Sequence, residues 1–409
     1  MAGAVGSMHG FPAALTSFVG RAGVVDELAG HLGQYRLVTV TGPGGSGKTR
    51  LAGEIASRVA DRFADGVWLA ELAGVRDPAQ VVAAVAAALG IRELPSVQAA
   101  DVQAADALAR ALARRQLLLV LDNCEQVIDA AAELCGRLLL GADDVRVLAT
   151  SREPLQIAGE ARYRLGPLTL PDPGNPADPD GSEAVALFAD RARRADVSFA
   201  LDGETAPAVA RLVARLDGMP LAIELAAARV EALGVAQLLD RIDDRFTLLE
   251  AGDRLVAGRQ RSLAAAVEWS YRLLDEREQR VFRAVSVFPG PFTLEGAEAV
   301  AGAGARPAVL HLVDCSLLVP PRVGPDGRSR YVMLETLRAY GAGLLAEAGE
   351  GDAAAAALAG YALRLAEEAL SGADGRHWRD CRRPMAGRRG RHHAPGAGLG
   401  LGARCGLGS

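Results

Sequence analysis

The sequence predicts a parallel α/β domain followed by an all-α region. Over residues 18–170, short apolar segments rich in β-branched residues alternate with segments of helical periodicity. This alternation is typical of a parallel sheet covered by helices on both faces. Beyond a stretch rich in Pro, Asp and Gly at residues 171–182, the periodicity is almost entirely helical. The 409 residues suit two or three domains.

The predicted strands of the first domain are short and apolar. They lie at residues 37–41, 67–72, 117–121, 145–150 and 163–168. The intervening segments predict helices; after the first strand, for example, Leu51, Ile55 and Val59 recur at helical spacing. Residues 1–17 form an N-terminal lead, and residues 171–182 a linker.

The region after the linker predicts two further domains. Helical patterns at 184–195, 206–216, 221–232 and 235–242 indicate a helical domain over residues 183–258. Residues 259–345 predict helices and then a hairpin, with extended pieces at 317–323 and 329–334 around a Gly-Pro-Asp-Gly turn. Helices followed by a hairpin indicate a winged-helix domain.

The C-terminal part changes character abruptly. Residues 346–370 are rich in alanine and predict a helical segment. Residues 371–409 are dominated by Arg, Gly, Ala and His without a usable apolar period, which predicts a disordered tail.

Composition restricts the class of protein. The net charge of −5 argues against a constitutively basic nucleic-acid-binding body. No apolar run approaches the ~20 residues of a membrane-spanning helix, and no signal peptide is recognisable, so we expect a cytoplasmic protein with no membrane partner. The 5 cysteines are scattered and lack metal-ligand spacing, which predicts reduced thiols and no disulfide framework or metal site.

A glycine-rich loop between the first strand and its helix carries the strongest chemical signal. Its residues, in order, are Gly42, Pro43, Gly44, Gly45, Ser46, Gly47, Lys48 and Thr49. This is the complete P-loop pattern in the strand–loop–helix context that it requires. Its backbone amides and the helix N-terminus predict a phosphate cradle, in which Lys48 reaches the β- and γ-phosphates and Thr49 binds Mg²⁺. Lys48 is also the one lysine of the chain.

A second candidate site follows the strand at 117–121. Asp122 ends this apolar run and has the form of a Walker B carboxylate aimed at Mg²⁺, although a strand-ending Asp can also be a turn residue. Asn123 cannot act as a base, so Glu125 is the nearest carboxylate that could activate water, with an exposed first-turn helix position as its alternative. Slow turnover is the natural inference.

The strand at 145–150 leads into a third candidate. Thr150, Ser151 and Arg152 place a guanidinium at the tip of a buried strand, where it could distinguish ATP from ADP by contacting the γ-phosphate. A solvated loop arginine is the alternative.

Together, these motifs resemble the STAND class of P-loop ATPases, close to the NB-ARC type. The resemblance spans roughly residues 11–370 and is strongest to the ATPase module of large actinobacterial transcriptional regulators of the LuxR and SARP types. It implies ATP or ADP with Mg²⁺ as cofactors. It also implies that Arg152 is a sensor arginine, that is, an arginine that detects the γ-phosphate of ATP. The residues predicted to contact the nucleotide run from Gly42 through the P-loop to Arg50.

The resemblance identifies two further motifs. Val19, Gly20 and Arg21 resemble a motif that covers the adenine side of the nucleotide. Gly218-Met219-Pro220-Leu221 resembles a Gly-x-Pro motif whose proline, here Pro220, packs on the base of the nucleotide. The alternative interpretation is that this segment only ends one helix and begins the next. In plant and animal members of this family, the resemblance implies a Met-His-Asp motif whose histidine contacts the β-phosphate of ADP. This chain has Met333-Leu334-Glu335 at that place and no histidine, so closure on ADP through such a contact is not expected from the motif.

The combined hypothesis is an ATP/ADP-binding switch of a signal-transducing transcriptional regulator, with slow Mg²⁺-dependent hydrolysis. Self-oligomerisation in the ATP state follows from the resemblance, and DNA is expected to bind only through an output domain not visible in this sequence. The alternatives are a vigorous AAA-type ATPase and a DNA-binding protein acting through the winged helix. We also expect the sequence to be truncated before the repeat and output domains of its relatives.

Overall fold

The computed structural model describes residues 6–13, 15–91, 101–172, 181–242, 263–324 and 327–380. The chain divides into two units, Met1–Ala359 and Gly360–Ser409. Within the described ranges, no helix combines the length and the apolar character that crossing a membrane requires.

A parallel sheet of six strands is the centre of the first unit. Its strands are β1 (Met8–His9), β2 (Leu37–Thr41), β3 (Val67–Glu71), β4 (Leu118–Asp122), β5 (Arg146–Ser151) and β6 (Glu160–Arg164). They are arranged in the order β1-β3-β4-β5-β2-β6, and every neighbouring pair is parallel. The predicted parallel α/β domain is confirmed.

Helices cover both faces of this sheet. They are α1 (Ala22–Gln34), α2 (Lys48–Val59), α3 (Val81–Ala88), α4 (Asp101–Leu112) and α5 (Ile128–Gly141). Side chains of successive β4 residues pack in the hydrophobic cores on opposite faces of the sheet. Leu119 and Leu121 pack with α3, α4 and α5, whereas Leu118 and Val120 pack with α1 and α2. A strand buried on both faces is apolar at every position, which is why β4 shows no alternation in the sequence.

A helical segment, defined here as residues 181–242, follows the sheet. It contains α6 (Glu183–Ala195), α7 (Ala206–Arg215), α8 (Pro220–Ala227) and α9 (Val230–Asp240). These helices share an apolar core built around Phe188, Val213 and Ile223.

A helix–hairpin segment, defined here as residues 263–347, comes next. It contains α10 (Leu263–Arg272), α11 (Glu276–Val285), α12 (Leu294–Ala301), α13 (Ala305–Asp314), β7 (Val319–Val323), β8 (Ser329–Val332) and α14 (Glu335–Glu347). Strands β7 and β8 are antiparallel, with a register shift between Val319 and Arg322. Helix α15 (Gly351–Asp380) extends from the first unit into the second.

Several predicted boundaries need correction. The strand expected at 163–168 is β6, which ends at Arg164 before Gly166 and Pro167, residues poorly suited to strand pairing. The helix expected at 221–232 ends at Ala227, and α9 runs through the expected gap with a kink at Gly234 (φ 67°). Strand β1 was not predicted, because two residues carry no periodicity.

The predicted disordered tail also needs correction at its start. Helix α15 continues to Asp380, because residues 371–380 contain no proline to stop it; the next proline is Pro384. Residues 381–409, most of the linker and the segment 243–262 lie outside the described residues.

Candidate nucleotide-binding site

The loop between β2 and α2 forms a cradle of backbone amides. Gly45 and Gly47 adopt left-handed conformations with φ of 80° and 88°, which glycine tolerates best. Helix α2 then begins at Lys48, so its N-terminal amides face the loop. The hydroxyl oxygen of Ser46 is buried and has no hydrogen-bond partner within the described structure. Such a cradle suits an anion with several acceptor oxygens.

Lys48 supplies a buried positive charge at the cradle. Its Nζ donates to the carbonyl oxygens of Gly42, at 2.7 Å, and Pro43, at 3.1 Å. The residue is only 7% exposed, and burial lowers the pKa of Lys48 to about 8, although Glu125 and Asp122 oppose this shift. Because the hydrogen-bond partners of this buried ammonium are neutral carbonyl oxygens, its charge can be neutralised by a bound phosphate.

Thr49 and Asp122 meet at the carboxyl edge of the sheet. The Thr49 Oγ1 donates to both carboxylate oxygens of Asp122, at 2.9 and 3.0 Å. Thr150, on the intervening strand β5, also donates to Asp122, and the Asn123 side chain does so at 2.9 Å. Burial raises the pKa of Asp122, opposed by the hydrogen bonds from Thr150 and Thr49. A bound dication would offset this cost of burying a carboxylate.

Glu125 and Arg152 form a buried ion pair beside these residues. The Arg152 Nε lies 3.1 Å from the Glu125 Oε1, and their side chains are 9% and 3% exposed. The second carboxylate oxygen of Glu125 is buried without a hydrogen-bond partner within the described structure. Glu125 is therefore not the exposed helix residue that was the alternative prediction.

Arg152 also contacts the helix–hairpin segment. Its guanidinium donates to the Ser270 hydroxyl, and the Ser316 hydroxyl donates to the Arg152 carbonyl oxygen at 2.9 Å. The candidate sensor arginine thus joins the sheet domain to α10 and to the start of the hairpin. Local sequence gave no sign of Ser270, which is 118 positions away from Arg152.

The start of α8 lies over the P-loop. The Leu221 amide donates to the Gly45 carbonyl oxygen at 3.2 Å. A Cβ atom on Gly45 would come within 2.8 Å of the Leu221 Cβ, and one on Gly47 within 3.9 Å of the Pro220 Cγ. The structure therefore places Pro220 close to the P-loop and leaves no room for a Cβ atom at position 45. The contact of Pro220 with the base, which the resemblance implies, stays a prediction.

The segment Val19–Gly20–Arg21 ties the P-loop to the helical segment. The Arg21 guanidinium donates to the carbonyl oxygens of Ser46, at 2.6 Å, and Gly166, at 2.7 Å. Its backbone amide donates to Glu183 at the start of α6, and Val19 packs against the core of the helical segment. Glu183 is a site residue that the sequence did not reveal, because its partner lies 162 positions earlier.

Arg50 faces the helical segment and the N-terminal lead. Its guanidinium lies 3.2 Å from a Glu224 carboxylate oxygen and donates to the carbonyl oxygens of Thr16 and Ser17 at 3.0 and 2.8 Å. The side chain is thus engaged in contacts within the protein, and the nucleotide contact predicted for Arg50 stays a prediction.

Asp217 links the Gly-Met-Pro turn to the Met333-Leu334-Glu335 motif. Its two carboxylate oxygens accept the backbone amides of Glu335, at 3.0 Å, and Thr336, at 2.7 Å. These are the first amides of α14, so a carboxylate from the helical segment caps a helix of the helix–hairpin segment. In this chain, the backbone amides of Glu335 and Thr336 therefore hold the Asp217 carboxylate.

Comparison with known proteins finds transcriptional and other regulatory proteins among the relatives of this chain. The NB-ARC domain family matches residues 21–163. A protein named as an HTH-type transcriptional regulator in Mycobacterium tuberculosis is 42% identical over 327 residues, which are 78% of this chain and 35% of that protein. Regulatory protein AfsR of Streptomyces coelicolor is 31% identical over 390 residues, 89% of this chain and 36% of its own length. The chain therefore spans about a third of each of these relatives.

An uncharacterized protein of Mycobacterium tuberculosis matches over most of both chains. It is 37% identical over 346 residues, which cover 83% of this chain and 84% of that protein. Among solved structures, a signal transduction ATPase with a tetratricopeptide repeat sensor from Pyrococcus horikoshii is 17% identical with a TM-score of 0.36, covering 81% of this chain and 43% of that one. Cdc6p from Pyrobaculum aerophilum is 15% identical with a TM-score of 0.38, covering 82% and 97%.

Proposed function

The chain belongs to the STAND class of P-loop ATPases, with an NB-ARC-type nucleotide-binding domain, and we propose that bound ATP or ADP sets the state of a regulatory switch. One observation carries this proposal. The P-loop residues Lys48 and Thr49, the carboxylate of Asp122 and the guanidinium of Arg152 converge at one edge of the sheet, while Arg152 also holds the helix–hairpin segment.

The cradle accounts for phosphate binding. Lys48 neutralises charge on the phosphates, and the loop amides and the unpartnered Ser46 hydroxyl donate to their oxygens. Pro220 and Leu221 close the cradle from the helical segment. Val19 and Gly20 precede Arg21 on the same side, where we assign the adenine.

Thr49 and Asp122 are the residues that fit Mg²⁺. Both present oxygen atoms, the ligand type that Mg²⁺ prefers, and they already lie within hydrogen-bond distance of each other. When bound, the ion neutralises charge that develops on the phosphate oxygens during hydrolysis. Asn123 and Thr150 hold the Asp122 carboxylate in place through their own hydrogen bonds.

Hydrolysis is slow because the candidate base is engaged. Glu125 gives one oxygen to the Arg152 guanidinium, so this oxygen is occupied and does not accept a proton from water. Its other oxygen is buried without a hydrogen-bond partner within the described structure, so water must enter the site to reach it. Release of Arg152 from Glu125 would restore the base, so turnover and sensing are coupled through one guanidinium.

We propose that the γ-phosphate of ATP competes with Glu125 and Ser270 for the Arg152 guanidinium. In the arrangement described here, Arg152 binds Glu125 and Ser270, and the helix–hairpin segment is docked against the sheet domain. A γ-phosphate within reach offers the guanidinium stronger charge-assisted hydrogen bonds than a serine hydroxyl does. ATP therefore disfavours this docked arrangement and ADP favours it.

The regulatory setting follows from the relatives. We assign the protein to the cytoplasm, to transcriptional regulation, and to self-association in the ATP state. The domain limits that fit this switch are 18–170, 183–258 and 259–345, with the last as a winged helix.

Two measurements on the purified chain test the switch. Mass spectrometry of the nucleotide released on denaturation should find ADP or ATP, and Lys48→Ala should yield none. A turnover assay should give far fewer than one cycle per second, well below the median enzyme rate of about 10 per second. Many cycles per second would contradict the switch and favour a motor-type ATPase.

A further inference from the structure

A group of metal-binding side chains lies where the helix–hairpin segment meets the loop after β5. It consists of Glu153, His311 and Cys315, whose ligand atoms all lie within 4.8 Å of one another. His311 and Cys315 are four residues apart at the end of α13, and a helical hydrogen bond of 2.8 Å joins their backbones. This spacing places both side chains on one helix face.

The distances match those around a single tetrahedral ion. The Cys315 Sγ lies 3.4 Å from the His311 Nε2, which lies 3.5 Å from the Glu153 Oε2. Around tetrahedral Zn²⁺, bond lengths of about 2.3 Å to sulfur and about 2.0–2.1 Å to nitrogen and oxygen separate these atoms by about 3.3–3.6 Å. Two of the three pairs of ligand atoms therefore already have the separation that a shared ion requires, and the third pair lies within 4.8 Å.

The imidazole is oriented from behind by a fourth side chain. The His311 Nδ1 lies 2.5 Å from the Glu278 Oε1. The other oxygen of Glu278 accepts the Asp275 amide at 2.9 Å in the capping box of α11, which fixes the carboxylate. A metal-bound histidine commonly donates its second ring nitrogen to a carboxylate, and this contact sets the tautomer.

The chemistry of the cluster selects a class of metal. A thiolate, an imidazole and a carboxylate favour Zn²⁺ and similar transition-metal ions over Mg²⁺ or Ca²⁺. The thiolate and the carboxylate together balance the charge of a dication.

We propose that Cys315, His311 and Glu153 bind one Zn²⁺-class ion, with Glu278 positioning the imidazole, and that this ion fastens the helix–hairpin segment to the loop after β5. Glu153 directly follows Arg152, and Cys315 directly precedes Ser316, whose hydroxyl donates to the Arg152 carbonyl oxygen. The ion therefore strengthens the contact that the candidate sensor arginine makes in the docked arrangement. Ligand binding to one arrangement shifts the equilibrium toward it.

Cobalt spectroscopy tests the site directly. The full chain carrying Cys381→Ser and Cys405→Ser removes the tail thiols that could bind metal by themselves. Titration of this background with Co²⁺ should give one ion per chain, with tetrahedral d–d absorption and a thiolate charge-transfer band. Cys315→Ser should abolish the charge-transfer band, whereas Cys135→Ala, which alters a buried core thiol, should retain it.

Two milder variants separate binding from folding. Glu153→Gln and Glu278→Gln should keep the charge-transfer band but weaken Co²⁺ affinity by about 10- to 100-fold. ADP affinity measured on each variant without added Co²⁺ verifies that the chain is folded, because ADP binds at the P-loop and none of the substituted residues belongs to it. A charge-transfer band that survives Cys315→Ser, or no band in the parent background, would overturn the proposal.

Discussion

At the residue scale, Lys48 makes nucleotide affinity depend on pH. Its pKa of about 8 in the nucleotide-free protein rises when a phosphate becomes its partner. Binding therefore takes up a proton once the pH exceeds 8. We expect the dissociation constant for ADP to be constant below pH 8 and to rise about tenfold per pH unit above it. Calorimetry from pH 6.5 to pH 9.5 measures this.

Lys48→Arg is the matched control for this pH dependence. Arginine keeps its charge across this range, so the variant should bind more weakly but with an affinity that stays level with pH. An identical decline in both proteins would assign the effect to another group.

The same lysine should destabilise the nucleotide-free protein. Its folded pKa lies below the ordinary value of 10.5, so the unfolded chain binds the proton more tightly and stability is lost as the pH falls through 8. At pH 7, Lys48→Met should raise the free energy of unfolding by about 1–3 kcal/mol, since it removes a buried cation. Urea denaturation of nucleotide-free protein measures the difference. A less stable variant would show that the two carbonyl contacts outweigh the burial cost.

Individual site residues were predictable only where a local pattern defines them. The P-loop could be read from glycine spacing between a strand and a helix, because both ends of that motif are contiguous. The partners of Arg21 and Arg152 could not be, since Glu183 and Ser270 come from other segments of the chain. The candidate metal ligands were missed for a similar reason, because cysteine spacing alone does not detect a His-x-x-x-Cys helix face.

At the element scale, the contact of α8 with the P-loop depends on a missing side chain. Gly45 has φ of +80°, and an added Cβ would lie 2.8 Å from the Leu221 Cβ. Gly45→Ala should therefore lower the free energy of unfolding by about 1–3 kcal/mol and weaken ADP binding, because α8 must move away. Thermal unfolding with and without ADP measures both effects.

Gly23→Ala provides the comparison within a helix. Gly23 lies in α1, and an added Cβ would meet nothing within 4 Å. This substitution should leave ADP binding unchanged and stabilise the protein by about 0.5–1 kcal/mol. Equal destabilisation by both substitutions would show that glycine at 45 serves no specific contact.

The cap that Asp217 gives to α14 is a second link between elements. Both of its carboxylate oxygens accept amides at the start of that helix. Asp217→Ala should cost about 1–2 kcal/mol of unfolding free energy in a denaturant titration. Asp143→Ala, at a side chain that is 95% exposed, should change stability by less than about 0.5 kcal/mol. If the two variants were equally stable, the cap would contribute nothing.

Elements could be predicted where periodicity extends over enough residues. Strands β2, β4 and β5 are fully or largely buried, β3 is partly buried, and all four were placed within a residue or so of their ends. The boundary between α8 and α9 was misplaced because alanine-rich sequence continues across it. At this boundary the helix ends because of tertiary packing, and the helix propensity of the local sequence does not predict the end.

At the scale of the whole molecule, several of the groups that join the segments also belong to the candidate nucleotide-binding site. Arg21 connects the P-loop with Glu183, Leu221 contacts Gly45, and Arg152 contacts Ser270. Nucleotide and interdomain contacts therefore share residues, and a change in one alters the other without a long pathway between them. This sharing is the physical basis for treating the module as a switch.

Hydrogen exchange should reveal the switch in α10. If the γ-phosphate takes Arg152 from Ser270, amides of α10 (Leu263–Arg272) and of residues 315–318 should exchange faster with a non-hydrolysable ATP analogue than with ADP. Amides of α3 (Val81–Ala88), which packs in the core on one face of the sheet, should not change. Arg152→Gln should remove the difference between nucleotides by leaving α10 in the faster-exchanging state with both, because glutamine cannot reproduce the charged contact. Slow exchange of α10 in Arg152→Gln with either nucleotide would show that other contacts hold the helix–hairpin segment, and that Arg152 does not report the γ-phosphate to it.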